Sequence, residues 1–288
     1  MYEAQIEPIL LYGAEVWGYQ YNRAVENTYM FLCKRFLNVS MKTPNNMVLG
    51  DLGRCPVFVK TAEKCIRFWL RICNMPEKRL PKMAYNMLNQ LQEVGKKTWA
   101  FYVRQLLCEN GFGDVWIQQN AGDINTFLSI FRQRLTDQYA QTWHDKIVSS
   151  ERFELYSSFK HSLQAERYLD YNIIRVYKAA YIKFRFGVSP ILIHKLRYKK
   201  DVLPRHLLCP ACKHSIEDEC HILFECKAYA SLRKSVAFLL DKADGNVSFV
   251  MSCDEEKSVK LLSRFLYHVF KRRLELKQLN ELENANNE

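Results

Sequence analysis

The sequence predicts a mainly α fold: a helical bundle, then a small cysteine- and histidine-rich module, then C-terminal helices. Three observations carry this. Apolar residues recur three and four apart along successive segments, the spacing of one helix face. Short clusters of Pro, Gly, Asn and Thr separate those segments and are turn formers. Cys209, Cys212, His221 and Cys226 then fall within eighteen residues, a stretch too short to bury a core of its own.

In chain order, Glu7 to Gly18 is a dense apolar segment that needs a covering surface, from later helices or from something upstream. A helix is expected over Ala24 to Leu37, with Val25, Tyr29, Leu32, Cys33 and Phe36 on one face, before the breakers Thr43–Asn46 and Gly50–Pro56. Phe58, Ala62, Cys65, Ile66, Trp69, Leu70 and Cys73 form the clearest amphipathic stripe of the first half. Pro76 and Pro81 bracket its exit, and a shorter helix covers Lys82 to Val94. Thr98 reads as the N-cap of the next helix, with Trp99, Val103, Leu106 and Leu107 inward. Gly111–Gly113 ends it, and a long helix follows from Ile124 to Ile147 with Phe127, Leu128, Phe131, Leu135 and Tyr139 on its stripe. Tyr229, Leu232, Val236, Leu239 and Leu240 predict a helix stopping near Asp244-Gly245. Ser252-x-x-Glu255 reads as a capping box opening a last helix with Val259, Leu262, Phe265, Leu266, Val269 and Phe270 inward. The polar end, Asn284 to Glu288, frays.

Lysine and arginine outnumber acidic residues 42 to 31, a net charge of +11, which favours a polyanionic partner or an acidic membrane surface. No segment approaches eighteen uninterrupted apolar residues, and Glu3, Glu7 and Glu15 interrupt the N-terminus where a signal peptide would need a basic and then an apolar run. An intracellular protein is expected, in nucleus or cytoplasm and not secreted, with no membrane partner. Cys33, Cys65, Cys73 and Cys108 fall singly on apolar helix faces and read as small buried hydrophobes in a reducing compartment.

The sharpest chemical signal is Cys209, Cys212, His221 and Cys226, spaced C-x2-C-x8-H-x4-C. Three thiolates and one imidazole are the ligand set of a closed tetrahedral zinc site, and Pro210-Ala211 allows the tight turn that wraps two sulfurs around one ion. Four protein ligands leave no open position, so the expected cofactor is a structural Zn2+. The plain alternative is a set of reduced cysteines in a loop and a helix. Cys220 could replace His221, but neighbours on a helical start point roughly 100° apart, so one of the two reaches the ion and His221 is preferred. His206 and His214 read as exposed loop histidines.

Just before this module, Lys183, Arg185, Lys195, Arg197, Lys199, Lys200 and Arg205 stand against Asp201, with Tyr181, Phe184, Phe186 and Tyr198 interleaved. Such a strip can contact phosphates through its cations and stack exposed bases on its rings, making Lys183, Arg185, Lys195, Arg197, Tyr198, Lys199, Lys200 and Arg205 the expected nucleic-acid contacts. The alternative is a solvated face whose aromatics point into the core. Lys271, Arg272 and Arg273 read as a solvated helix face, with contact to nucleic acid as the alternative.

Three pieces of the chain resemble the C-terminal part of a non-LTR (LINE-type) retrotransposon reverse transcriptase, downstream of its palm. They are Ile9 to Gly18, similar to the thumb segment; Leu49-Gly50-Asp51-Leu52-Gly53-Arg54-Cys55-Pro56, where Cys55 replaces an aromatic residue; and Phe184-Arg185-Phe186-Gly187 with Arg197-Tyr198, Cys209–Cys212, Ile216–His221, Cys226 and Tyr229. The last is close to the family's zinc-binding segment. The resemblance implies a helical thumb/connector-like bundle followed by a small CCHC zinc-binding module, divided as 1–56 thumb-like, 57–180 helical connector, 181–240 basic strip and zinc module, and 241–288 C-terminal helix and tail.

Reverse transcription needs paired carboxylates holding two metal ions, and the sequence has no Asp-Asp pair. Nor does it hold a Gly-rich phosphate loop, a G-x-S-x-G elbow or an H-E-x-x-H. The expectation is a truncated reading frame that is not an enzyme, takes no small-molecule substrate, and binds RNA or single-stranded DNA. A second reading has the apolar N-terminal segment dock on a reverse-transcriptase core supplied in trans, or on another copy; a third is a decayed fragment without function.

Overall fold

The structure is a computed structural model that describes residues 5–197 and 203–285. It is mainly helical, and the described residues contain no strand, only an isolated antiparallel bridge between Leu208 and Ile216. The chain divides into two interleaved units, residues 1–32 with 54–143, and residues 33–53 with 144–288.

The first unit holds α1 (Glu7–Leu10), α2 (Ala14–Trp17), most of α3 (Arg23–Leu37), α5 (Val57–Cys73), α6 (Leu80–Glu93), α7 (Trp99–Glu109), α8 (Gly113–Gln118) and most of α9 (Ile124–Val148). α5 is central because its stripe is one-sided: Cys65, Ile66, Trp69 and Leu70 are buried against Val103 and Leu107 of α7 and Leu128 and Phe131 of α9. Trp69 stacks on Trp116 at 5.5 Å, and its indole N–H donates to the Tyr85 hydroxyl at 3.0 Å. α2 packs on α5 at Gly18, where a β-carbon would lie 2.2 Å from the Thr61 carbonyl oxygen. α7 begins where Thr98 accepts from the Phe101 N–H at 3.4 Å, and Asp123 accepts from Thr126 at 2.8 Å before α9.

The second unit holds α4 (Asn45–Leu52), α10 (Glu154–Ser157), α11 (Arg175–Arg185), α12 (Leu192–Leu196), α13 (Ala230–Arg233), α14 (Ala237–Ala243), α15 (Val247–Ser252) and α16 (Glu256–Ala285). α11 packs on α16, burying Tyr181 and Phe184 of one and Leu262, Leu266 and Val269 of the other.

Several expectations change. Phe36 is exposed, with Leu37 buried in its stead, and Cys108 is exposed while Cys73 is only half-buried. Ser252 ends α15, its hydroxyl donating back to Phe249, so it caps nothing; α16 starts after Glu255, which accepts from the Ser258 hydroxyl. The helix expected from Tyr229 is broken into α13 and α14 by a 3-10 turn over Lys234–Val236. It closes at Asp244 and Gly245, both with positive φ.

Candidate metal centre

The segment between α12 and α13 is held by backbone closure and by one buried carboxylate. Leu208 bridges Ile216, Cys209 N–H donates to the Ser215 carbonyl at 2.8 Å, and Lys213 takes a left-handed φ of 58° to close the turn after Cys212. Glu217, fully buried, accepts from both sides of the Arg273 guanidinium at 2.5 and 2.8 Å and from the Leu192 N–H at 2.7 Å. That ties the segment to α16 and to the start of α12. Asp218 then accepts from the His221 N–H at 2.7 Å, starting a π-helical turn over His221–Glu225 that delivers Cys226 back beside His221. Arg233 fixes the turn's far end by donating to the carbonyls of Leu223 and Cys226 at 2.7 and 2.9 Å.

These constraints bring Cys209, Cys212, His221 and Cys226 together, each offering a ligand atom within 4.8 Å of the others, so the cluster could bind a metal ion. The Cys209 and Cys226 sulfurs are 3.9 Å apart, and the Cys212 sulfur lies 3.3 Å from His221 Nε2. A tetrahedron with metal–sulfur bonds near 2.3 Å and a metal–nitrogen bond near 2.0 Å has edges of roughly 3.8 and 3.5 Å, close to these two separations. Cys209, Cys226 and His221 are buried and Cys212 is half-buried. His221 Nδ1 faces Glu225 Oε2 at 3.3 Å, which leaves Nε2 with its lone pair toward the sulfurs. Cys220 points away, near the Glu225 carboxylate.

The sulfurs sit in unlike fields. Burial pushes the Cys209 thiol up to about 12 despite N–H groups from Cys212 and Ala211. At Cys212 burial also acts upward, but N–H groups from His214 and Ser215, with Cys209 and His221 alongside, outweigh it and bring the thiol down to about 7. Of the three cluster cysteines, Cys212 is thus the one that loses its proton most readily.

Among the described residues, the members of the basic strip are divided between the core and the surface. Arg185 is buried: its Nε donates to Asp51 at 3.0 Å, Nη2 to Glu166 at 2.8 Å and Nη1 to the Met251 carbonyl, and its guanidinium lies 4.4 Å from the Phe159 ring centre. It is removed from the expected nucleic-acid contacts, because no phosphate can reach a guanidinium already enclosed by two carboxylates. Tyr181, Phe184 and Phe186 are core residues. Arg197 donates to Glu219 at 3.3 Å, beside His194, whose Nε2 is 2.7 Å from the same carboxylate oxygen. Lys183 and Lys195 line one groove of 730 Å3 with Tyr267 and Phe270 of α16, and Arg205 is exposed. Tyr198, Lys199 and Lys200 lie outside the described residues.

The residues missed by sequence reasoning are carboxylates far from their partners. Asp51 also accepts from the hydroxyls of Tyr156 and Tyr168 at 2.8 and 2.6 Å, so it organises the core of this unit. A signal existed: Arg185 falls four residues after buried Tyr181, and Arg273 four after buried Val269, so both lie on apolar stripes.

Among the described residues no helix is long and apolar enough to cross a membrane. Comparison with known proteins finds no match among family models, curated sequences or solved structures.

Proposed function

We propose that the cluster holds a structural zinc ion and that the chain binds RNA or single-stranded DNA without catalysing a reaction. The donor set supports zinc: three cysteines and one imidazole with all four ligand atoms within 4.8 Å of one another, and a carboxylate behind the imidazole. All four positions are protein ligands, so the ion's chemistry there is structural, folding residues 207–229 onto α12 and α16. The resemblance to the post-palm region of a non-LTR reverse transcriptase agrees with this and gives the polyanion its class.

The observation that carries the nucleic-acid reading is the groove that Lys183 and Lys195, two members of the sequence strip, line together with the aromatic residues Tyr267 and Phe270. Cations beside aromatic rings suit a single strand, whose phosphates and unstacked bases are both accessible.

The test is fluorescence anisotropy of a labelled single-stranded RNA against zinc-loaded protein across a salt series. Affinity should fall log-linearly with salt, and neutralising Lys183 and Lys195 should reduce the slope by about 0.7 for each phosphate that no longer meets a cation. Absence of binding at low salt by folded, zinc-replete protein would overturn the reading.

A further inference from the structure

α6 carries two apolar sides, and the fold uses one. Its inner side is fixed by Tyr85, whose hydroxyl meets both the Trp69 indole N–H and Gln119, and by buried Gln92 with half-buried Leu88. Its outer side presents Leu80, Met83, Met87, Leu91 and Val94, exposed by 79, 50, 65, 45 and 73%. This stripe runs the whole helix, unlike the scattered single apolar residues common on surfaces. It is also uncharged. Between Leu80 and Gln92 the one ionic side chain is Lys82, whose ammonium is turned to the Cys73 carbonyl at 3.0 Å and to Glu77. A quarter of the chain is charged, so this gap is a local feature, of the kind found at interface centres.

The spacing identifies the occupant. About Met87 the apolar positions lie seven and four residues before and four and seven after, so the stripe reads the same in both directions. An antiparallel copy of α6 on a two-fold axis through Met87 sets Leu80 against Val94, Met83 against Leu91, and Met87 against itself. Such pairing opposes the two helix dipoles favourably and brings Glu93 near the partner's Arg79. Complete burial of both stripes removes on the order of 1,000 Å2 from water, the size of a weak, concentration-dependent dimer.

The geometry points to self-association of this chain through α6, as a two-fold dimer with the helices antiparallel. It is independent of the nucleic-acid reading, because every residue involved lies in the first unit and none belongs to the groove or the metal cluster.

The experiment is analytical ultracentrifugation of the whole zinc-loaded chain, from about 1 µM to about 100 µM. A monomer–dimer equilibrium is expected, weakened at least tenfold by Met87→Glu, with far-UV circular dichroism unchanged because Met87 is exposed. A wild type that stays monomeric throughout, or a dimer indifferent to Met87→Glu, overturns the proposal; the former leaves the stripe to a different protein. Cysteine cross-linking in a Cys108→Ser background reads the direction. Met87→Cys should oxidise to a covalent dimer, and Leu80→Cys should cross-link to Val94→Cys rather than to itself. Leu80→Cys linking to itself means parallel helices and overturns the two-fold arrangement.

Discussion

Two arginines of one basic strip should respond oppositely to the same substitution. Arg185 is enclosed by Asp51 and Glu166, with Tyr156 and Tyr168 supplying further donors to Asp51. Burial acts to lower its pKa, but Asp51, Tyr181 and Glu166 outweigh this and hold the guanidinium charged well above its ordinary value. Arg185→Ala leaves the fully buried Asp51 carboxylate with two hydroxyl donors and no counter-charge, and breaking such a pair costs about 3–5 kcal/mol. Arg205 is exposed, and Arg205→Ala should change stability by less than about 0.5 kcal/mol. Hydrogen exchange of the α11 amides reads this unit without the other. Arg185→Ala should speed their exchange by about a hundred- to several-thousandfold, and Arg205→Ala should leave it unchanged. The reasoning is refuted if Arg185→Ala keeps wild-type protection, above all if it weakens RNA binding while doing so, since Arg185 would then be a surface contact.

Cys212→Ser should abolish binding of one zinc per chain, and Glu225→Gln should weaken it roughly tenfold by loosening the hold on His221 Nδ1; chelator competition with a colorimetric zinc indicator measures both. Gly53→Ala should destabilise by at least about 1–3 kcal/mol: its φ is +59°, and a β-carbon would meet the Ala165 backbone nitrogen at 2.2 Å, so a thermal melt little different from wild type would contradict the packing. Burial lowers the His194 pKa below 6.5, against the pull of Glu219 and Glu217 and with the push of Arg197, and the Ser189 N–H occupies Nδ1. The folded state therefore resists the proton that the unfolded chain accepts, so this contribution is complete above about pH 6.5 and is lost as pH falls below it. Wild-type melting temperature should fall more steeply than that of His194→Gln between about pH 7.5 and about pH 5.5, and parallel curves would refute the assignment.

What the sequence made legible was local or one-sided. α5 and α9 were readable because each buries a single stripe, and the metal ligands because all four lie within eighteen residues. Arg185 and Arg273 were misread because their partners stand 134 and 56 residues away, and charge without a visible partner looks like solvent-facing charge. The helix after Tyr229 reads as continuous from its apolar spacing, yet Arg233 is drawn to the Leu223 and Cys226 carbonyls beside the metal ligands and the chain tightens after it. On α6 the pattern shows two apolar sides and offers no means to say which one the core takes; Tyr85, through Trp69 and Gln119, decides it.

The two buried arginines also explain why a short metal segment can be held on a helical frame. Glu217 joins that segment to α16 through Arg273, α16 packs on α11, and α11 carries Arg185 to Asp51 in α4. The first and last links are charge pairs buried in apolar surroundings, whose net contribution to stability is small against an apolar replacement but whose disruption on one side is costly. Such pairs constrain register: a slipped register would strand a charge, whereas slipped apolar packing would only repack.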